Sequence, residues 1–174
     1  MAKMLRRERA WQLYATAFLE NRCRRPEWSH KAKRPEHSQI YWQLVRVCQE
    51  LGMSVWLYRD LGEARDHFGR PFTIGGTWES WHRRINLVQR DFKILAHELA
   101  HAVDYILSGH RPSPEQELVA SAAGFMLTCE RLGVRSPSFD VRYAKRQGAT
   151  IEHFIQLQEY ILSVFEEMNI LMSG

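Results

Sequence analysis

Apolar positions along the chain recur at helical spacing in five segments and at strand spacing in three. Over residues 3–20 the stripe is Met4, Trp11, Tyr14, Ala15 and Phe18, which predicts an amphipathic helix. Over 38–51 it is Ile40, Tyr41, Leu44, Val47, Cys48 and Leu51, with Ser38 as N-cap and Gly52 as the stop. The pattern then shortens. MSVWLYR (53–59), PFTIGGTW (71–78) and RRINLVQ (83–89) are rich in β-formers and predict three short strands in a small antiparallel or mixed sheet. Asp91 caps a helix predicted over 92–107, with Gly109 at its C′ position. Ser113-Pro114-Glu115-Gln116 reads as a capping box opening a helix to about Leu132. A last helix is predicted from Thr150 to Leu171, on the stripe Ile151, Phe154, Ile155, Gln158, Ile161, Leu162, Phe165 and Met168. Helix, small sheet, then helices is an α+β order.

Charge divides the chain differently from hydropathy. Residues 1–35 carry ten Lys/Arg against three Glu, a balance of +7 in a chain whose net charge is +4, so the remainder is mildly acidic. The segment 22–37 holds two prolines and six Lys/Arg and reads as a basic loop. The expected division is a basic N-terminal helix and loop over 1–37 and a main domain over 38–174. Arg22, Arg24, Arg25, Lys31, Lys33 and Arg34 are candidate contacts to nucleic acid or another acidic partner, against the plainer reading of a solvated basic face. Trp78, Trp81, His82, Arg83 and Arg84 mix aromatics and cations as a stacking surface does, although a hairpin tip with two core tryptophans is the preferred reading.

No apolar run is long enough to span a bilayer, and the N-terminus has no apolar signal region, so a cytoplasmic protein without a membrane partner is expected. Cys23, Cys48 and Cys129 are odd in number and widely spaced, as expected of free thiols in a reducing compartment.

The chemistry concentrates in residues 97–101, HELAH. On a helix, His97 and His101 share one face a turn apart, the spacing at which two imidazoles grip one Zn²⁺. Glu98 stands beside them as a candidate general base for a metal-activated water. Leu95, Leu99, Ala102, Val103 and Ile106 are expected on the core side, leaving His97, His101, Asp104 and Ser108 toward a cleft. A hydrolytic zinc site also needs a third protein ligand and an open position. The neighbouring candidates are Glu117, Glu115, His110 and Asp104. Glu117 is preferred, because a short connection turns the next helix back and Glu117 faces the metal if Leu118, Val119, Ala122 and Met126 face the core. A simple hairpin sets Ser121, not Glu117, level with His101, a gap that a Glu side chain or a splayed helix crossing could cover. Asp104 is a candidate acceptor for a ligand imidazole. Tyr105, Tyr143 and His153 are candidates to stabilise an oxyanion, with packing as their plainer reading. The strand Ile85–Val88 is a candidate edge for pairing with an extended substrate.

INLV, ILAHELAHA and EQELVASAAGFM together resemble the gluzincin-type peptidase domains of the ImmA/IrrE and ArdC-like families, over roughly residues 84–132. The stretch from Ser138 to Met168 is similar, less specifically, to the helical end of ArdC-like proteins. The resemblance implies a zincin-like fold, a Zn²⁺ cofactor on His97, His101 and Glu117, Glu98 as general base, and a protein or peptide substrate. It also suggests the alternative of a nucleic-acid-binding antirestriction or regulatory protein with a structural or vestigial zinc site.

Overall fold

The computed structural model describes residues 2–20, 23–24, 35–69, 75–132 and 139–174. In chain order the elements are α1 (Ala2–Leu19), β1 (Cys23–Arg24), α2 (Pro35–Glu50), β2 (Ser54–Leu57), α3 (Leu61–Phe68), β3 (Gly76–Glu79), β4 (Arg84–Leu87), α4 (Phe92–Ser108), α5 (Ser113–Leu132), β5 (Phe139–Asp140), α6 (Val141–Arg146) and α7 (Ile151–Leu171). The class is α+β, helix-rich with a small mixed sheet. That sheet has the order β2-β4-β3, with β2 parallel and β3 antiparallel to β4. A second pairing, β1 with β5, is antiparallel.

The core lies where α4, α5 and α7 meet. Leu95, Leu99, Leu118, Met126, Leu127, Ile161 and Phe165 are fully buried there. α1 joins the same core through Tyr14 and Phe18, whose rings stack with Phe154 of α7. The N-terminal helix and the body therefore share one apolar interior. Arg7 pairs with Glu166 and lies over the Phe165 ring, so this basic residue is used internally.

Several boundaries and faces differ from the pattern-based expectation. α3 was not predicted: eight residues with few apolar positions carry little periodic signal. Its caps were present nonetheless. Asp60 accepts from the Glu63 N–H, the Glu63 carboxylate accepts from the Arg59 N–H, and Gly69 closes the helix at φ 62°. α2 begins at Pro35, ahead of Ser38. α5 begins with Pro112 C=O accepting from Glu115 and Gln116, and the Gln116 amide reaches Arg111 C=O instead of closing a box on Ser113. On α7, Ile151 and Ile155 are exposed, while Leu157 and Val164 are buried.

The strand Ile85–Val88 is central rather than an edge. β4 has β2 on one side and β3 on the other, and Asn86 is buried on its second face, accepting from Tyr58 Oη at 3.2 Å. Strand order is set by long-range pairing, which local alternation does not encode. The β3–β4 hairpin forms, but Trp81 at its tip is 91% exposed and only Trp78 is half-buried, so the two are not both core residues. Among the described residues, no helix is long and apolar enough to cross a membrane.

Candidate metal centre

α4 is fixed at both ends by its own sequence. Asp91 Oδ1 accepts from the Lys93 N–H at 2.8 Å, and Gly109, at φ 73°, ends the helix in a conformation other residues rarely adopt. Between these caps the helix is buried on most of its surface, with Leu95, Ala96, Leu99, Ala100, Ala102 and Val103 in the interior. Ile106, expected in the core, is exposed, and Asp104, expected toward a cleft, is buried.

His97 and His101 stand one turn apart with ring planes at 87° and Nε2 atoms 3.2 Å apart. α5 returns antiparallel and brings Glu117 to them. Its Oε2 lies 3.4 Å from His97 Nε2 and 3.5 Å from His101 Nε2. Glu117, rather than Ser121, is therefore the α5 side chain that reaches the imidazoles. Ser121 faces α1 instead, its Oγ accepting from Tyr14 Oη at 2.9 Å. Close approach of the two helices depends on Gly124. A methyl group there would lie 3.1 Å from the Cα and backbone nitrogen of His97.

The donor set fits a small divalent cation. Ligands about 2.0–2.1 Å from a tetrahedral zinc are separated by about 3.3–3.4 Å, and the three separations here are 3.2, 3.4 and 3.5 Å. Glu117 Oε2 is buried without a hydrogen-bond partner, an orphaned acceptor of the kind a cation satisfies. Two nitrogens and a carboxylate oxygen are a zinc-type donor set. Among the described residues this is the one group of three His, Cys, Asp or Glu side chains whose donor atoms all lie within 4.8 Å, and it could hold a metal ion. The three side chains keep 24%, 12% and 17% of their surface open, so the group can be reached from outside.

Electrostatics separate the two carboxylates. Glu98 is buried, and burial pushes its pKa up to about 7. His97 opposes that rise, Glu117 adds to it, and a backbone hydrogen bond from the Trp78 N–H opposes it. Burial would also raise Glu117, but the two imidazoles outweigh it and bring its pKa down to about 2. One acid is thus held ionised between the imidazoles while its neighbour titrates near neutrality. β3 supplies the wall over Glu98. A methyl group on Gly76 would meet Glu98 Cγ at 3.0 Å and Ile94 Cγ2 at 2.7 Å. Trp78 turns its N–H away from β4 toward the Glu98 carboxylate.

Of the further candidates, Tyr143 on α6 is close to the cluster, its ring edge-on to His97 with centroids 6.3 Å apart. Burial, reinforced by Glu117 and Glu98, raises its pKa and keeps the hydroxyl protonated. Tyr105 lies instead with Trp78 and His110, at 6.5 and 4.9 Å between centroids. His153 serves the N-terminal capping box of α7, its Nδ1 accepting from the Thr150 N–H. The Asp104 carboxylate accepts from Ser108, Arg111 and Tyr160 rather than from an imidazole. Glu115 approaches Arg111 at 3.8 Å. Arg24 belongs to β1, while Arg22, Arg25, Lys31, Lys33 and Arg34 lie outside the described residues.

Sequence reasoning missed Trp78, Gly76, Gly124 and Tyr160. A signal existed for the glycines: Gly124 interrupts a helical pattern and Gly75-Gly76 a strand pattern, and isolated glycines in regular elements mark close approaches. Nothing local marks a backbone N–H that serves a helix from a neighbouring strand. Comparison with family models, with curated proteins and with solved structures finds no match to this chain.

Proposed function

We propose that this protein is a zinc-dependent metallopeptidase with a zincin-like fold, akin to the gluzincin-type domains that its HELAH and EQELVASAAGFM segments resemble. The observation that carries the reading is the near-equilateral triangle of His97 Nε2, His101 Nε2 and Glu117 Oε2, with the Glu98 carboxylate buried beside it. Zinc on those three donors would supply Lewis acidity and an acidified water. Glu98, buried beside the three donors, would take the proton of that water and deliver it to the leaving amine. Tyr143, as a protonated phenol near His97, is the candidate donor to a developing oxyanion. The buried free thiol of Cys48 supports a reducing, cytoplasmic setting.

The test is metal analysis with a peptidase assay. Glu98→Gln is expected to retain zinc and lose hydrolysis, and His101→Ala to lose both. Retention of zinc by His101→Ala at the unaltered stoichiometry would overturn the assignment.

A second reading, nucleic-acid binding in an antirestriction or regulatory role, is favoured by the charge of residues 1–35 and by the exposure of Trp81 beside His82 and Arg83. It requires DNA binding that weakens steeply with salt and is lost on removing residues 1–35. Absence of binding at low salt would end it.

A further inference from the structure

The proposed centre depends on the register between α4 and α5. A slip of one residue moves a helix by 1.5 Å and turns its side chains by about 100°, enough to take Glu117 away from both imidazoles. Gly124 fixes one end of this pairing against His97. The other end is held by Asp104, three residues beyond His101, whose side chain is only 2% exposed.

Asp104 Oδ1 accepts from Tyr160 Oη at 2.7 Å, from Arg111 Nε at 3.0 Å and from Ser108 Oγ at 3.1 Å. Arg111 belongs to the four-residue connection 109–112, and its guanidinium sits 3.9 Å above the Tyr160 ring. Its carbonyl accepts from Gln116 Nε2 at 2.6 Å, and Gln116 adjoins Glu117. A continuous path of bonds thus runs from the turn after His101, through a buried carboxylate, to the residue before Glu117. Loss of the carboxylate's charge deprives the part-buried donors on Arg111 and Tyr160 of their ionised acceptor, and the connection loses its anchor.

We propose that Asp104 is a positioning residue for metal binding, acting through Arg111 to hold Glu117 at the two imidazoles. This rests on the metal reading above and goes beyond it in assigning the third ligand's placement to a side chain that touches none of the ligands.

The test is a double-mutant cycle read as zinc affinity, by competition with a chelating dye, on the full chain. Asp104→Asn is expected to weaken zinc binding by about 10–100-fold, as loss of an outer-sphere support does. In a Glu117→Ala background the same substitution is expected to have no further effect, because its target is gone. General destabilisation would weaken both backgrounds alike. Unchanged affinity in Asp104→Asn, or an equal loss in both backgrounds, overturns the proposal and leaves the metal reading standing. Absence of zinc binding by the unaltered chain overturns both. If Asp104→Asn does not fold, Tyr160→Phe removes one donor to the same carboxylate, and a smaller loss, likewise absent without Glu117, is the expected result.

Discussion

Gly124 on α5 lies against the backbone of His97 on α4, so close that a methyl group would stand 3.1 Å from the histidine Cα. The contact lets two helices meet backbone to side where one carries both imidazoles and the other the carboxylate. Gly124→Ala sets two effects against each other. Helix propensity favours alanine by about 1 kcal/mol. Overpacking a tight contact disfavours it by about 1–3 kcal/mol. The expected outcome is a net loss of up to about 2 kcal/mol, seen as a drop of a few degrees in Tm, with weaker zinc binding. Unchanged affinity in a folded Gly124→Ala variant would show that this contact does not set the spacing of the ligands.

Glu98 makes the metal-free protein sensitive to alkali. Its pKa is raised from 4.5 to about 7, so the folded state holds its proton more tightly than the unfolded chain does. That contribution is complete below about pH 4.5 and is lost as pH rises through 7, a difference of order 3 kcal/mol. Glu98→Gln, which keeps an acceptor for the Trp78 N–H, is expected to stabilise metal-free protein at pH 8. The gain should shrink as pH falls below 7. Denaturant melts at pH 5 and pH 8 decide it; an equal effect at both would refute the burial argument.

Glu117 gives the opposite slope. Its pKa is lowered from 4.5 to about 2 by the two imidazoles, so its contribution is present above pH 4.5 and is lost as pH falls toward 2. Glu117→Gln should flatten this acid limb of the stability curve in metal-free protein. Urea midpoints between pH 2 and 5 provide the comparison.

Zinc should stabilise the folded protein by mass action. At 1,000 times its Kd, a ligand bound only by the native state adds about 4 kcal/mol. Zinc is expected to raise Tm by about 8–16 °C at that excess, since 1 kcal/mol is worth about 2–4 °C at this size. A chelator should reverse the rise, and the His97→Ala and Glu117→Ala variants should show little of it. No rise in the unaltered chain would count directly against the metal centre.

Trp81 offers a surface test. At 91% exposure it contributes little to packing, so Trp81→Ala should leave Tm within about 2 °C. If the hairpin tip stacks on bases, the same change should weaken single-stranded DNA binding by about 1–3 kcal/mol, measurable by fluorescence anisotropy.

Where a feature is written into neighbouring residues, the chain alone determined it. The apolar repeat of Ile40, Leu44, Val47 and Cys48 marked α2, Asp91 and Gly109 marked the ends of α4, and the i, i+4 spacing put His97 and His101 on one face. Glu117 was legible as a candidate because its helix had to return. Tertiary structure alone decided what depends on distant segments meeting. It set β4 in the centre of the sheet, turned the Trp78 N–H onto Glu98, sent Ser121 to Tyr14, and gave Asp104 to Arg111 and Tyr160. The physical reason is range. Capping and helical periodicity act over one or two turns and leave a local trace. Strand order and helix register are settled by packing between separate elements of the chain, where one sequence pattern is compatible with several partners.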